Sequence, residues 1–128
     1  MLFDTDVLIW CFRGNVRAAT VIDRADSREI SAVSYMELLQ GARNKRELDL
    51  IRRFLRESGF LMLPLSETIS TRALVYMEEY VLKSGLCMAD ALIAATSVEH
   101  QLTLCTGNPK HFRPISELDL KVFRPDGR

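Results

Sequence analysis

Short apolar runs alternate with longer amphipathic stretches along the whole chain. Met1–Phe3 is apolar and stops at Asp4, and Val7–Phe12 reads as a short apolar helix ended by Gly14. Asn15 is placed to cap a helix running to about Ala25, with Val16, Ala19, Val21 and Ile22 on its inner face. Glu29–Val33 carries β-branched Ile30 and Val33 behind a turn-prone Asp26-Ser27, which predicts a second strand. Ser34 stands three positions before Glu37, a capping-box pattern that predicts a helix opening at Ser34 and ending or bending at Gly41. Arg46–Glu57 places Leu48, Ile51, Phe54 and Leu55 at helical spacing, with Gly59 behind it. Phe60–Leu65 reads as a buried strand, and Pro64 marks it as an edge or a strand end.

Glu67–Ser84 is the longest predicted helix, closed by Gly85. Met88–Gln101 is a further helix, rich in alanine and suited to close packing, and Leu102–Cys105 and Leu120–Phe123 read as strands. Strands alternating with helices predict an α/β fold, a three-layer sandwich with a mostly parallel central sheet and right-handed crossovers. With no linker, repeat or low-complexity segment, residues 1–128 are expected to form a single domain.

Composition narrows the class. At 48% hydrophobic and 27% charged residues the chain is globular, which excludes the disordered and fibrous classes. Its densest apolar windows, Phe60–Leu65 and Ala91–Ala95, fall far short of the roughly 18 residues a membrane span needs. Asp4 and Asp6 occupy positions where a signal peptide is apolar, so a cytoplasmic location is expected. Cys11, Cys87 and Cys105 are widely spaced among apolar residues and read as buried or half-buried free thiols.

The 17 basic and 17 acidic residues cancel, so the whole-molecule field does not attract nucleic acid. Six basic residues (Arg43, Lys45, Arg46, Arg52, Arg53 and Arg56) against three acids nevertheless lie between Arg43 and Glu57. Lys110, Arg113, Lys121, Arg124 and Arg128 follow towards the C-terminus. Such a patch is either a solvated helix face or a local contact for phosphates.

The acids carry the chemistry. In a parallel α/β sheet each helix N-terminus lies at the edge where the strands end, and ligands bind in that crevice. Asp4 and Asp6 follow the first strand, and Glu37 lies in the first turn of the helix after the second. Asp90 lies in the first turn of the helix that returns before Leu102–Cys105, and Thr106 and Asn108 follow that strand. Each has a structural use: Asp4 and Asp6 as caps, Glu37 closing a capping box with Ser34, Asp90 against a helix dipole. Together, however, three or four carboxylates at one edge repel one another unless a cation is present. Oxygen ligands suit Mg²⁺ or Mn²⁺, and such a site suits phosphodiester hydrolysis by a metal-activated water.

Four segments then resemble, in order, the motifs of PIN-domain ribonucleases, and more narrowly of VapC-type toxins. They are Leu2-Phe-Asp4-Thr-Asp-Val-Leu-Ile9, Ser34-Tyr-Met-Glu37-Leu-Leu-Gln-Gly41, Met88-Ala-Asp90-Ala-Leu-Ile-Ala-Ala95 and Leu104-Cys-Thr-Gly-Asn-Pro-Lys-His-Phe112. The resemblance spans almost the whole chain. It implies a PIN-like fold and a cytoplasmic Mg²⁺- or Mn²⁺-dependent endoribonuclease acting on RNA. It further implies a homodimer silenced by a small antitoxin whose C-terminal segment enters the active-site groove.

Asp4, Glu37 and Asp90 match the family's first three acids. Asp4 and Asp90 are the implied metal ligands, with Glu37 binding metal or orienting its water, and Thr106 matches the family's hydroxyl position. Two positions depart from the pattern. Asn108 stands where many relatives carry a fourth acid, and Asp6 where many carry asparagine or serine. Two other functions fit part of the pattern. A degenerate domain that binds RNA or a partner without cutting would account for Asn108. A haloacid-dehalogenase-type phosphatase would use Asp4 as nucleophile, Asp6 as acid/base and Lys110 as its lysine.

Overall fold

Adjacent residues of a strand face opposite ways, and Leu2 and Phe3 use that alternation to enter two separate cores. They form the first strand, β1 (Leu2–Phe3), in a computed structural model that describes residues 1–127. The chain continues through α1 (Thr5–Phe12), α2 (Val16–Arg24), β2 (Glu29–Ser31), α3 (Ala32–Gln40) and α4 (Lys45–Glu57). β3 (Leu61–Leu63), α5 (Glu67–Ser84), α6 (Met88–Glu99), β4 (Leu104–Thr106), a 3-10 turn (Pro109–His111) and β5 (Leu120–Val122) complete it.

The five strands lie in the order β3-β2-β1-β4-β5 and every pair is parallel. The sheet expected to be mostly parallel is thus parallel throughout, with helical crossovers from β1 through to β4 and a longer loop with the 3-10 turn between β4 and β5. Leu2 pairs with Leu104 and Phe3 with Cys105. The chain first builds outward from β1 to β3, then crosses back to place β4 on the other side of β1. The β1–β4 boundary is therefore the switch point at which ligands bind in open α/β sheets.

Leu2 and Leu104 face a core closed by Ile69, Ala73 and Tyr76 of α5 and by Ala91, Ala94 and Ala95 of α6. The alanines let α6 lie close to the sheet. Phe3 and Cys105 face the opposite core, with Val7, Leu8, Ile22, Leu38, Ile51 and Leu55 from α1 to α4. Asn15 caps α2 as expected, its Oδ1 accepting from the Ala18 N–H at 2.9 Å. α5 runs over the predicted residues and ends at Gly85 in the left-handed conformation that glycine adopts readily.

Five local expectations are corrected. The inner face of α2 is Ala18 and Ile22, whereas Val16 and Ala19 are exposed, because the helix packs one position out of the expected phase. Ser31, the last residue of β2, caps α3 by accepting from the Val33 N–H at 3.1 Å. The helix therefore starts at Ala32, Ser34 is buried within it, and Glu37 sits in its second turn and not its first. β2 needs only three residues to pair fully with β3, and the serine at its end takes up the first free N–H. β3 is not buried: Leu61 is 60% and Met62 45% exposed, because at the sheet's edge the core reaches only Leu63. β4 begins at Leu104 and not Leu102. Gln101 takes a positive φ of 55° and the Leu102 N–H bonds back to Ser97 O, so these residues close α6 instead. Among the cysteines, Cys105 is buried and Cys11 half-buried, whereas Cys87 is exposed.

Candidate active site

Asp4 leaves β1 at the switch point and caps α1, its Oδ1 accepting from the Thr5 N–H at 2.8 Å. Its other oxygen, Oδ2, accepts from Thr106 Oγ1 at 2.8 Å. The β1–β4 register dictates this contact: with Phe3 opposite Cys105, the next residue of each strand comes level. Both side chains are buried, Asp4 to 8% exposure and Thr106 completely. Thr106 Oγ1 also accepts from the Asn108 N–H at 3.0 Å, so the loop after β4 is tied to the same hydroxyl.

Asp6, in the first turn of α1, reaches the same loop, and its Oδ2 accepts from the Gly107 N–H at 3.0 Å. A Cβ on Gly107 would lie 2.8 Å from that oxygen, so the close approach requires glycine. Asp6 Oδ1 is buried and has no hydrogen-bond partner within 3.5 Å among the described residues. Glu37 is exposed at the mouth of the site, where its Oε1 accepts from Thr5 Oγ1 at 2.7 Å. Asp90 lies half-buried in the first turn of α6, behind Cys87 at the N-cap position, which makes no side-chain cap bond. The Cys87 thiol pKa is raised, by burial first and then by the neighbouring Asp90. Asn108 is exposed and its side chain does not cap the 3-10 turn that follows.

The electrostatics join three of these acids into one group. The Asp4 carboxyl is raised from 3.8 to about 7, by burial first and then by the charge of Asp6. Within that balance the hydrogen bonds from Thr106 and Thr5 act downward, and Asp90 adds a smaller upward push. Asp6 is raised too, by burial first and also by Asp90, against the lowering effect of the Gly107, Val7 and Asp6 N–H groups. A carboxylate held near half-protonation at neutral pH, beside a second whose buried oxygen lacks a partner, is an anionic pocket without its counter-charge. Among the described residues no three carboxylate, imidazole or thiol groups stand close enough to chelate an ion as they lie. The donor set is nonetheless all oxygen and net negative, which is what a hard divalent cation fits.

The structure thus brings Asp4, Asp6 and Thr106 into one hydrogen-bonded and electrostatic unit and sets Asp90 within reach of its charge. Glu37 stands at the rim, and Asn108 contributes its backbone. Two residues were missed in the sequence, Thr5 and Gly107. Thr5 meets Glu37 only because α3 packs against α1, and nothing local announces that. Gly107 had a weak signal, a glycine directly after the motif threonine.

From Glu37 a groove of about 490 Å³ runs between α1, α3 and α4, lined by Ile9, Phe12, Arg13, Ala42 and Leu50 among others. Among the described residues no helix is long and apolar enough to cross a membrane.

A family profile described as PIN domain matches residues 1–117. Ribonuclease VapC10 of Mycobacterium tuberculosis is 35% identical over 122 residues, covering 92% of this chain and 90% of its own. A toxin–antitoxin complex from Klebsiella pneumoniae contains a chain superposing with a TM-score of 0.78 at 31% identity, over 97% of this chain and 96% of that one. DNA-bound VapBC from Salmonella typhimurium shares the fold, with a TM-score of 0.81 at 19% identity over 94% and 96% of the two chains. With that profile over residues 1–117 and a ribonuclease relative 35% identical across most of both chains, this chain belongs to the PIN-domain family.

Proposed function

We propose that this chain is a divalent-metal-dependent endoribonuclease, the toxin of a type II toxin–antitoxin pair, with residues 1–128 forming one nuclease domain. The observation that carries this reading is the buried acidic group at the β1–β4 switch point, where Asp4 is held at about 7 beside Asp6 and Asp90. Asp4 and Asp90 are assigned as ligands of Mg²⁺ or Mn²⁺, and Glu37 as a further ligand or as the group orienting the attacking water. When bound, such an ion lowers the pKa of a water and offsets the charge of the phosphate under attack.

The chain's own residues do the positioning. Thr106 fixes Asp4 Oδ2, and the Thr5 N–H fixes Oδ1, so the carboxylate has one orientation. Thr5 also holds Glu37 through its hydroxyl, leaving that exposed carboxylate able to accept a proton from water at the mouth. α1 and α6 both point their N-termini at the site, where the partial positive charge favours an RNA phosphate.

An antitoxin partner is supported by the toxin–antitoxin setting of the solved relatives. The groove beside Glu37, with apolar Ile9, Phe12 and Leu50 and basic Arg13, suits an amphipathic segment of such a protein. A homodimer and a cytoplasmic location complete the assignment. The phosphatase alternative is set aside: the chain belongs to another family, and Lys110 is exposed on the 3-10 turn. Asn108 favours a second reading, a domain that binds RNA without cutting it.

The test uses purified protein freed of any partner, a structured RNA and a cellular RNA pool, with Mg²⁺, Mn²⁺ or EDTA. Cleavage that needs metal and vanishes in Asp90→Asn is expected. Metal binding with no cleavage of either RNA favours the binding domain, and absence of metal binding overturns both readings.

A further inference from the structure

We infer that Asp6, and not the residue at position 108, supplies the fourth acidic oxygen donor of the metal site, an assignment that rests on the nuclease reading above. Asp6 Oδ1 is buried yet accepts no hydrogen bond from the described residues. A buried carboxylate oxygen without a partner is costly and rare in a native structure, and a cation is a partner it accepts. The other oxygen, Oδ2, is fixed by the Gly107 N–H at 3.0 Å, and the nearby Val7 and Asp6 N–H groups also favour the ionised carboxylate, so it is held in place with Oδ1 lacking a full hydrogen bond among the described residues. Gly107 has no side chain to interfere, since a Cβ there would come within 2.8 Å of Oδ2.

Position 108 is built for a different task. Its N–H is committed to Thr106 Oγ1, and its exposed side chain forms no bond to the turn it precedes. The departure at 108 and the departure at 6 are thereby one exchange: the acid missing after β4 is present in the first turn of α1, hydrogen-bonded to the loop that follows β4.

The competing explanation is that Asp6 only clasps the loop after β4. Asparagine can accept from the Gly107 N–H as aspartate does, so Asp6→Asn keeps the clasp and removes the charged donor. Metal-free protein is titrated with Mn²⁺ alone, by calorimetry and by the electron paramagnetic resonance of the free ion, alongside its melting temperature in EDTA. The expected result is Mn²⁺ binding weakened about tenfold or more in Asp6→Asn at a metal-free melting temperature equal to or above the parent's, since a repulsive charge is removed. Asn108→Ala is expected to stay within about twofold of the parent.

Gly107→Ala keeps every carboxylate but displaces Asp6, and it is expected to weaken Mn²⁺ binding as well. It decides the matter where Asp6→Asn fails to fold. Equal Mn²⁺ affinity in Asp6→Asn and the parent overturns the assignment, as does an Asn108→Ala loss as large as that of Asp6→Asn; either leaves the nuclease reading standing. A parent that binds no Mn²⁺ overturns both.

Discussion

Thr106 donates its hydroxyl hydrogen to Asp4 Oδ2 at 2.8 Å, although the two residues lie 102 positions apart in the chain. The contact exists because β1 and β4 are neighbours in register, so it couples the topology of the sheet to the protonation of the site's most buried acid. It also explains why a threonine stands at the end of a strand whose other residues are apolar.

Replacing that hydroxyl therefore tests fold and chemistry together. Thr106→Val keeps the volume and leaves Asp4 Oδ2 buried without its donor, which is expected to cost about 1–3 kcal/mol in urea unfolding at pH 8. The lost bond had been holding the Asp4 pKa down. The basic shift of the carboxyl should move the pH profile of cleavage to higher pH. Lower stability with an unmoved profile would mean that Thr106 only packs.

The pH dependence of the metal-free protein follows from the same group. Asp4 holds its proton to about 7 in the folded state but to 3.8 when unfolded, so the folded state binds more protons between those values. Stability contributed by Asp4 is then fully present below 3.8 and lost as pH rises through about 7. Asp6 is shifted in the same direction. In EDTA the melting temperature is expected to fall from about pH 5 to about pH 8, with Asp4→Asn flattening the fall. Mn²⁺ should restore stability most at the high end, where the carboxylates are ionised. A flat EDTA profile in the parent would show that the acidic group is not under strain.

Ser31 and Ser34 offer a paired test of where α3 begins. Ser31→Ala removes a cap and is expected to cost about 1 kcal/mol. Ser34→Ala removes a buried hydroxyl that has no partner, and is expected to be neutral or slightly stabilising. The reverse ranking in chemical denaturation would restore the helix start at Ser34.

That pair also shows what the sequence could and could not convey. The alternation of apolar runs and amphipathic stretches reveals the five strands and six helices of the described residues, because burial periodicity is a local property. Helix starts are harder. Ser31 and Ser34 are both serines at the end of an apolar run, and the glutamate at 37 selects the wrong one. The choice was made by how many residues β2 could pair with β3, a tertiary fact. The carboxylates were legible as a group through Asp4, Asp6 and Asp90, since strand ends and helix starts share an edge. What each touches was not. The Thr5 hydroxyl on Glu37 and the Gly107 N–H on Asp6 depend on packing between segments 32 and 101 residues apart.

The basic stretch on α4 separates into held and unheld charges. Arg43 is bound to Glu47 at 2.8 Å, an exposed pair of the i,i+4 kind that contributes little to stability but occupies the guanidinium. Lys45, Arg46, Arg52, Arg53 and Arg56 are all exposed or nearly so, and Lys45, Arg46 and Arg53 border one shallow hollow with Asp49 and Leu50. If that face meets RNA phosphates, Arg46→Glu and Arg53→Glu together weaken binding of a single-stranded RNA at low salt. The slope of log affinity against log salt should then flatten by about 0.7 for each phosphate no longer neutralised. Melting temperature should hardly change, because neither side chain is buried. The measurement is fluorescence anisotropy with Asp90→Asn in the background, so that the RNA is not cut, across a salt series. An unchanged slope would assign this face to solvent and place the RNA track elsewhere on the molecule.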